Sequence, residues 1–236
     1  MIELNADIGE GYDDASLMPY LNRVSIACGG HTGDAASMAA ALRLAAEYGV
    51  AVGAHPGYPD RAQFGRRHLA ASADEIAAWV TQQTGRLAEQ AAQLGMRLQH
   101  VKPHGALYNV AARDAATARA IARAVAAFDP TLMLVGLPGS CLIAAGEAAG
   151  LAALNEAFAD RRYQANGRLV SRETSGALIV DPQLAALQAV ALAHGQAIDT
   201  LDGGRIRVQA DTICLHSDTP DALNIARAVH TALKHG

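Results

Sequence analysis

Long apolar runs, a basic surplus, paired cysteines and the common nucleotide-binding glycine motifs are all missing from this chain of 236 residues. Arg, Glu, Asp or His interrupts each apolar stretch well before the ~18 residues of a membrane span, so none is expected. Lys and Arg number 19 against 23 Asp and Glu, a formal net charge of -4. With a pI near 6.1, that balance excludes the polycationic face by which proteins hold nucleic acid. No secretory leader is expected, because Met1 runs directly into a strand-like segment carrying Glu3 and Asp7. Cys28, Cys141 and Cys214 are odd in number and scattered, which fits reduced thiols in a cytoplasmic protein. For Cys28 and Cys214 a small buried core residue is weighed against a nucleophile or ligand. There is no GxxxxGK[ST] loop, no GxGxxG after a strand, no GxSxG, no HExxH and no paired CxxC, so no single motif names a chemistry.

What is present is a recurring pattern. Five short apolar runs each end in a polar cluster: Ile2–Ala6 before Asp7 and Glu10, Val24–Ala27 before His31 and Asp34, Val50–Gly53 before His55 and Asp60, Met96–Val101 before Lys102 and His104, and Asp211–Leu215 before His216 and Asp218. Such runs are candidate buried strands. Helical segments alternate with them, at Asp34–Tyr48, Ser72–Leu94, Arg113–Phe128, Ser140–Ala149, Pro182–Ala193 and Pro220–Lys234. Ser72 and Glu75 have capping-box spacing, Asp34 can cap its helix, and Gly49 and Gly95 supply stops. Further strand candidates are Leu132–Val135, Leu151–Asn155, Ile206–Gln209 and Ile213–Leu215.

Six or seven strand–helix units follow one another without a low-complexity linker. The expectation is one α/β domain over residues 1–236, an irregular (β/α) barrel of seven strands. A barrel brings every strand end to one mouth, whereas a doubly wound sheet spreads them out. The stretch Asn155–Ile179 breaks the repeat and carries Arg161, Arg162, Arg168 and Arg172. It reads as an excursion over the barrel mouth, either a lid or a solvated loop.

The clusters offer carboxylates, imidazoles and an ammonium at successive strand ends. Asp7 and Glu10 sit among Gly9 and Gly11, and His31 follows Gly29 and Gly30. His55 heads a turn stiffened by Pro56 and Pro59, in which Asp60 and Arg61 could pair. Lys102 can steady a phosphate or an oxyanion, and His104 and His216 can exchange protons near neutral pH. Asp7, His31 and His55 could hold zinc or another divalent ion, or do acid–base work without one. His100 reads as structural, and His68, His194, His230 and His235 lie away from strand ends.

In order, the blocks NADIGEG, IACGGHTGD, VGAHPGYPDR, HVKPHGALYN, ADRRYQANGRLVSR, SGALI and VQADTICLHSD resemble the LamB/YcsF family over nearly the whole chain. The resemblance implies a glycoside hydrolase/deacetylase-like barrel. It also implies the ATP-dependent 5-oxoprolinase reaction, in which 5-oxo-L-proline is opened to L-glutamate with release of ADP and phosphate. Two partner subunits, B and C, would share that work, and a homo-oligomer is compatible with it. ATP would be the cofactor, with a divalent metal as its Mg partner or as a bound transition ion. The expected catalytic set is Asp7, Glu10, His31, His55, Lys102, His104 and His216. Lys102, Arg161 and Asp218 would meet the nucleotide, and Asp34 and Asp60 also fall in the family's blocks. Within this set Lys102 and Arg161 would steady phosphate, while His31, His55 or Asp7 would orient or deprotonate water. His104 or His216 would protonate the leaving nitrogen. The family block CGFHAGD has Gly30 and Thr32 here, an exchange expected to widen the pocket or shift its substrate. Gly57, Arg162 and Ser217 are further departures. A metal-dependent amidase or deacetylase-like hydrolase, and a non-catalytic substrate-binding subunit, remain alternatives.

Overall fold

The computed structural model describes residues 2–235. Its strands are β1 (Glu3–Ile8), β2 (Arg23–Ala27), β3 (Ala51–His55), β4 (His100–Val101), β5 (Met133–Gly136), β6 (Ala153–Phe158), β7 (Ala197–Asp199), β8 (Arg205–Arg207) and β9 (Thr212–His216). All but β7 and β8 are parallel and close into a seven-stranded barrel, β9 pairing with both β6 and β1. The helices are α1 (Asp14–Leu17), α2 (Ala35–Tyr48), α3 (Ala73–Gln93), α4 (Gly105–Ala111), α5 (Ala115–Phe128), α6 (Cys141–Ala148), α7 (Pro182–Ala193) and α8 (Ala222–His235). Among the described residues no helix is long and apolar enough to cross a membrane.

Local chemistry sets the helix ends. Asp34 and Ser37 cap α2 reciprocally, and Gly49 ends it in the left-handed conformation. Ser72 and Glu75 form the expected capping box of α3. Pro182 opens α7, where its missing N–H costs nothing.

Strand alternation sorts two faces. Leu4, Ala6, Ile8, Val24, Ile26, Val52, Ala54, Val101, Leu134, Ala157, Ile213 and Leu215 belong to the buried apolar core. The intervening residues fill the lumen, and many of them are polar. Asn5 Nδ2 donates to Thr212 Oγ1 at 2.8 Å, and His100 lies 3.2 Å from Arg23 Nη1 and 3.1 Å from Ser25 Oγ. Gly53 pairs with His100 in register. A Cβ at Gly53 would overlap the His100 ring, so bare backbone there admits the imidazole. His100 is thus wholly buried below the mouth and held by Arg23 and Ser25. Lumens of (β/α) barrels are usually layered with branched apolar chains; this one is a column of hydrogen-bonded polar groups leading up to the mouth.

Several boundaries differ from expectation. β1 runs on to Ile8, so Asp7 is a strand residue; His55 and His216 likewise end their strands from within. β4 shrinks to His100–Val101, although Lys102 N still donates to Ala54 O at 2.9 Å and continues the strand line until Pro103. β6 spans Ala153–Phe158, not Leu151–Asn155, because Leu151 N closes the end of α6 by bonding Gly146 O. The excursion therefore leaves the barrel only after Phe158. The Ile206–Gln209 candidate becomes β8, which pairs antiparallel with β7 outside the barrel. The short helix α4, on which the Lys102–His104 loop ends, was not anticipated.

Candidate functional site

The centre of the barrel mouth is an ammonium between two carboxylates. Lys102 Nζ lies 2.9 Å from Asp7 Oδ1 and 2.7 Å from Glu156 Oε1. Both contacts are off-axis for hydrogen bonding; the ammonium's hydrogen bonds go to Asn5 Oδ1 at 3.4 Å and Cys214 Sγ at 3.3 Å. Burial pulls the Lys102 pKa down, but Asp7, Cys214 and Glu156 outweigh it and hold it well above its ordinary value. The two flanking carboxylates therefore favour the charged ammonium. Burial alone would raise the Asp7 carboxyl, yet the charges of His55 and Lys102 hold it well below the usual carboxylate range.

A second cluster adjoins it. Gly9 N donates to Asp14 Oδ2 at 2.8 Å, which shapes the loop that delivers Glu10. Glu10 Oε1 is 2.8 Å from His31 Nε2, 3.2 Å from His104 Nδ1 and 3.7 Å from His55 Nε2. The His31 and His104 rings stack at 3.5 Å. His104 starts α4, and Gly105 beside it passes so close to the preceding loop that a Cβ would lie 2.9 Å from Gly65 O. Two backbone carbonyls orient the rings: His55 Nδ1 donates to Lys102 O at 2.7 Å, and His104 Nε2 donates to Phe64 O at 2.9 Å. His31 Nδ1 is buried without a hydrogen-bond partner. Burial pushes the His31 pKa down to about 3 and lowers that of His104. Burial would do the same to His55, but the Asp7 charge reverses it, and the His55 pKa is raised. Burial would raise Glu10, whereas hydrogen bonds from His104 and His31 hold it low. Donor atoms of Glu10, His31, His55 and His104 all lie within 4.8 Å of one another. This is the set that could hold a metal, rather than Asp7, His31 and His55. Asp7 faces Lys102, with its Oδ2 3.4 Å from His55 Nε2.

Opposite, His216 Nδ1 lies 2.9 Å from Asp160 Oδ1, and its ring stacks on Phe158. Asp160 also accepts from His216 N at 3.0 Å and Thr219 Oγ1 at 2.6 Å. The carboxylate thus fixes the ring with Nε2 left over for acid–base exchange. Above, Asp218 is clamped by Arg66 at 2.6 Å and by Arg172 at 2.8 Å, so its carboxylate organises two arginines rather than facing a ligand alone. Arg161 donates from Nη2 to Val170 O at 2.6 Å, while its Nε has no partner.

These groups enclose a cavity of about 670 Å³. Asp7, Glu10, His55, Lys102, His104, Arg161, His216 and Asp218 all line it, and the segment from Arg161 to Glu173 supplies part of its wall. His31 is buried behind Glu10. Asp34 and Asp60 are elsewhere: Asp34 caps α2, and Asp60 accepts from Gln63 N at 3.2 Å. The expected Asp60–Arg61 pair does not form; Arg61 donates to Gly33 O instead. Gly30 does not widen the pocket. A Cβ there would collide with Gln83 Oε1, because the Gln83 amide fills that space and bonds both N–H and C=O of Gly57. Glu156 and Asp160 were missed. Ending β6 at Asn155 placed both in a loop, although the alternation of ALNEAF already puts Glu156 and Phe158 on one face.

A family model described as LamB/YcsF family matches residues 2–236. A protein of Chloroflexus aggregans, named as the A subunit of 5-oxoprolinase, is 52% identical, over 100% of this chain and 94% of its own. A protein of the same name from Thermus thermophilus is 46% identical, over 99% of this chain and 96% of its own. The crystal structure of a lactam utilization protein from Thermus thermophilus superposes with a TM-score of 0.93 at 45% identity, covering 99% of this chain and 96% of that one.

Two outcomes follow from the charge layout. Lys102→Met leaves Asp7 and Glu156 buried face to face and lowers unfolding free energy by about 3–5 kcal/mol in urea denaturation; a loss under about 1 kcal/mol contradicts the arrangement. Burial would raise the Asp160 carboxyl, but His216 and Thr219 outweigh it and depress the pKa from 3.8 to about 2. Its stabilisation is complete above the unfolded value and disappears as pH falls through the folded one. The stability gap between wild type and Asp160→Asn therefore narrows between about pH 4 and about pH 2. A gap constant over that range contradicts the pairing.

Proposed function

This chain belongs to the LamB/YcsF family, and on that premise we propose that it is the subunit of a 5-oxoprolinase that carries the lactam-opening centre. One 5-oxo-L-proline, one ATP and two waters become L-glutamate, ADP and phosphate. The ring C–N bond breaks, water oxygen joins the former lactam carbon, and the nitrogen leaves protonated as the α-amino group. The observation that carries this reading is the cavity floor, where a fixed ammonium, an ionised carboxylate and a carboxylate-oriented imidazole converge.

His216 suits the proton transfers. With Nδ1 held by Asp160, its Nε2 can take a proton from attacking water and return one to the leaving nitrogen. His104 is less suited, since Phe64 O occupies Nε2 and His55 and Glu10 occupy Nδ1. Lys102, buried between two carboxylates, steadies the negative charge on the phosphorylated lactam oxygen as water adds to the ring carbon. Asp7 orients water; its low pKa makes it a poor base. Arg161, whose side chain lines the cavity, takes the substrate carboxylate. ATP supplies the phosphoryl group that activates the lactam oxygen, whether it is held here or by a partner. The cavity lies in the roughly 300–1,000 Å³ range of small-molecule sites. Subunits B and C complete the enzyme.

Glutamate and phosphate release from 5-oxo-L-proline plus ATP, measured on the complete three-subunit complex, tests this. His216→Ala lowers kcat by about 100-fold or more while the chain keeps its fold and its place in the complex. Arg161→Met raises KM more than it lowers kcat. Full turnover by His216→Ala, or no release from a folded, complete wild-type complex, refutes the reading.

A further inference from the structure

The His55–His104 contact poses a chemical problem. His55 donates its Nδ1 proton to Lys102 O, and His104 donates its Nε2 proton to Phe64 O. In the neutral rings the remaining nitrogens, His55 Nε2 and His104 Nδ1, are both acceptors. They nevertheless face each other at 3.0 Å. Glu10 Oε1, also an acceptor, lies 3.7 Å from the first and 3.2 Å from the second. The three atoms converge on a point that a proton or a metal ion must fill. His31 Nε2, 2.8 Å from the same oxygen, completes the ring of donor atoms.

We propose that Glu10, His31, His55 and His104 form a binding site for one divalent first-row transition-metal ion, of which zinc is the best-fitting probe. Metal bonds of about 2.0–2.1 Å in a tetrahedron set ligand atoms about 3.3 Å apart. Four of the six separations, 2.8, 3.0, 3.2 and 3.7 Å, straddle that value. The carbonyls of Lys102 and Phe64 supply what ligating imidazoles ordinarily have behind them, an acceptor that fixes the tautomer. Three imidazoles and one carboxylate suit zinc or cobalt better than magnesium or calcium, which prefer all-oxygen shells.

Charge points the same way. Asp7 and Glu156 flank the ammonium of Lys102, and Glu10 lies in the adjoining imidazole cluster. A divalent ion beside Glu10 balances the two negative charges left over. Protonating two imidazoles instead would place like charges in contact, since His31 and His104 stack at 3.5 Å and His55 lies 3.0 Å from His104. A second group of possible ligands, Asp7, Cys214 and His216, is disfavoured because a cation is already in place there. Lys102 Nζ sits 2.9 Å from Asp7 and 3.3 Å from Cys214.

These four side chains carry the site by themselves, so it is tested without substrate or partner subunits. The full chain, stripped with a chelator and shown to be folded by circular dichroism, is titrated with Zn²⁺ and with Co²⁺. Calorimetry reads the stoichiometry, and the visible cobalt spectrum reads the geometry. The expected result is one equivalent per chain, the intense absorption of tetrahedral cobalt, and a Tm that rises with zinc. Glu10→Gln, which preserves shape, weakens zinc binding by at least the about 100-fold that loss of even an outer partner can cause. His31→Ala does the same, and Cys214→Ser leaves binding intact. A folded wild-type chain that binds neither ion, or binding lost in Cys214→Ser but kept in Glu10→Gln, overturns the proposal.

Discussion

The buried ammonium of Lys102 is the constraint around which the barrel is arranged. Removing an ion from water costs several kcal/mol unless charges and hydrogen bonds close around it. Here they come from three other strands: Asp7 and Asn5 on β1, Glu156 on β6 and Cys214 on β9. β4, which delivers the lysine, has only two residues in its ladder. Its end is thus located as much by these ionic contacts as by sheet hydrogen bonds. A lumen packed only with branched apolar chains could not hold such a group, and the polar column of Asn5, Thr212, Ser25 and His100 beneath it continues the same solution downward.

That arrangement separates rigid chemistry from adaptable recognition. Asp7, His55 and His216 are residues of the strands themselves, and Lys102 lies one residue past β4. Their positions carry the precision of the barrel. Glu10, His31 and His104 arrive on short loops, but backbone carbonyls and ring stacking restrain them. The arginines stand on longer segments above, where Asp218 holds Arg66 and Arg172 together. Acid–base and oxyanion chemistry therefore belongs to the floor, and anion recognition to the wall.

Much of this was legible in the residues. Parallel strands buried on both faces read as short apolar runs, and each reactive cluster stood at the end of one, so the barrel and its mouth could be located. The helix stops at Gly49 and Gly95, the Asp34 cap and the Ser72–Glu75 capping box are local signals, and they held. Glu156 was hidden because a buried carboxylate within a strand interrupts the apolar run that marks a strand, and the ammonium across the lumen makes it tolerable; Asp160 lies two residues past β6, in the excursion. Asp34 and Asp60 stand in the same polar clusters as the mouth residues, yet helix and turn N–H groups claim them. Gly30 looked like a vacancy, but Gln83, more than fifty residues away in sequence, fills it. Long-range packing decided the surroundings of Glu156 and Gly30, whereas the claims on Asp34 and Asp60 come from N–H groups two or three residues away.

The most direct measurement is a crystal structure of the chain with 5-oxo-L-proline. The account predicts the ring on the cavity floor, its lactam group between Lys102 and His216 and its carboxylate at Arg161. Ordered substrate bound elsewhere, with this floor left to solvent, would contradict it.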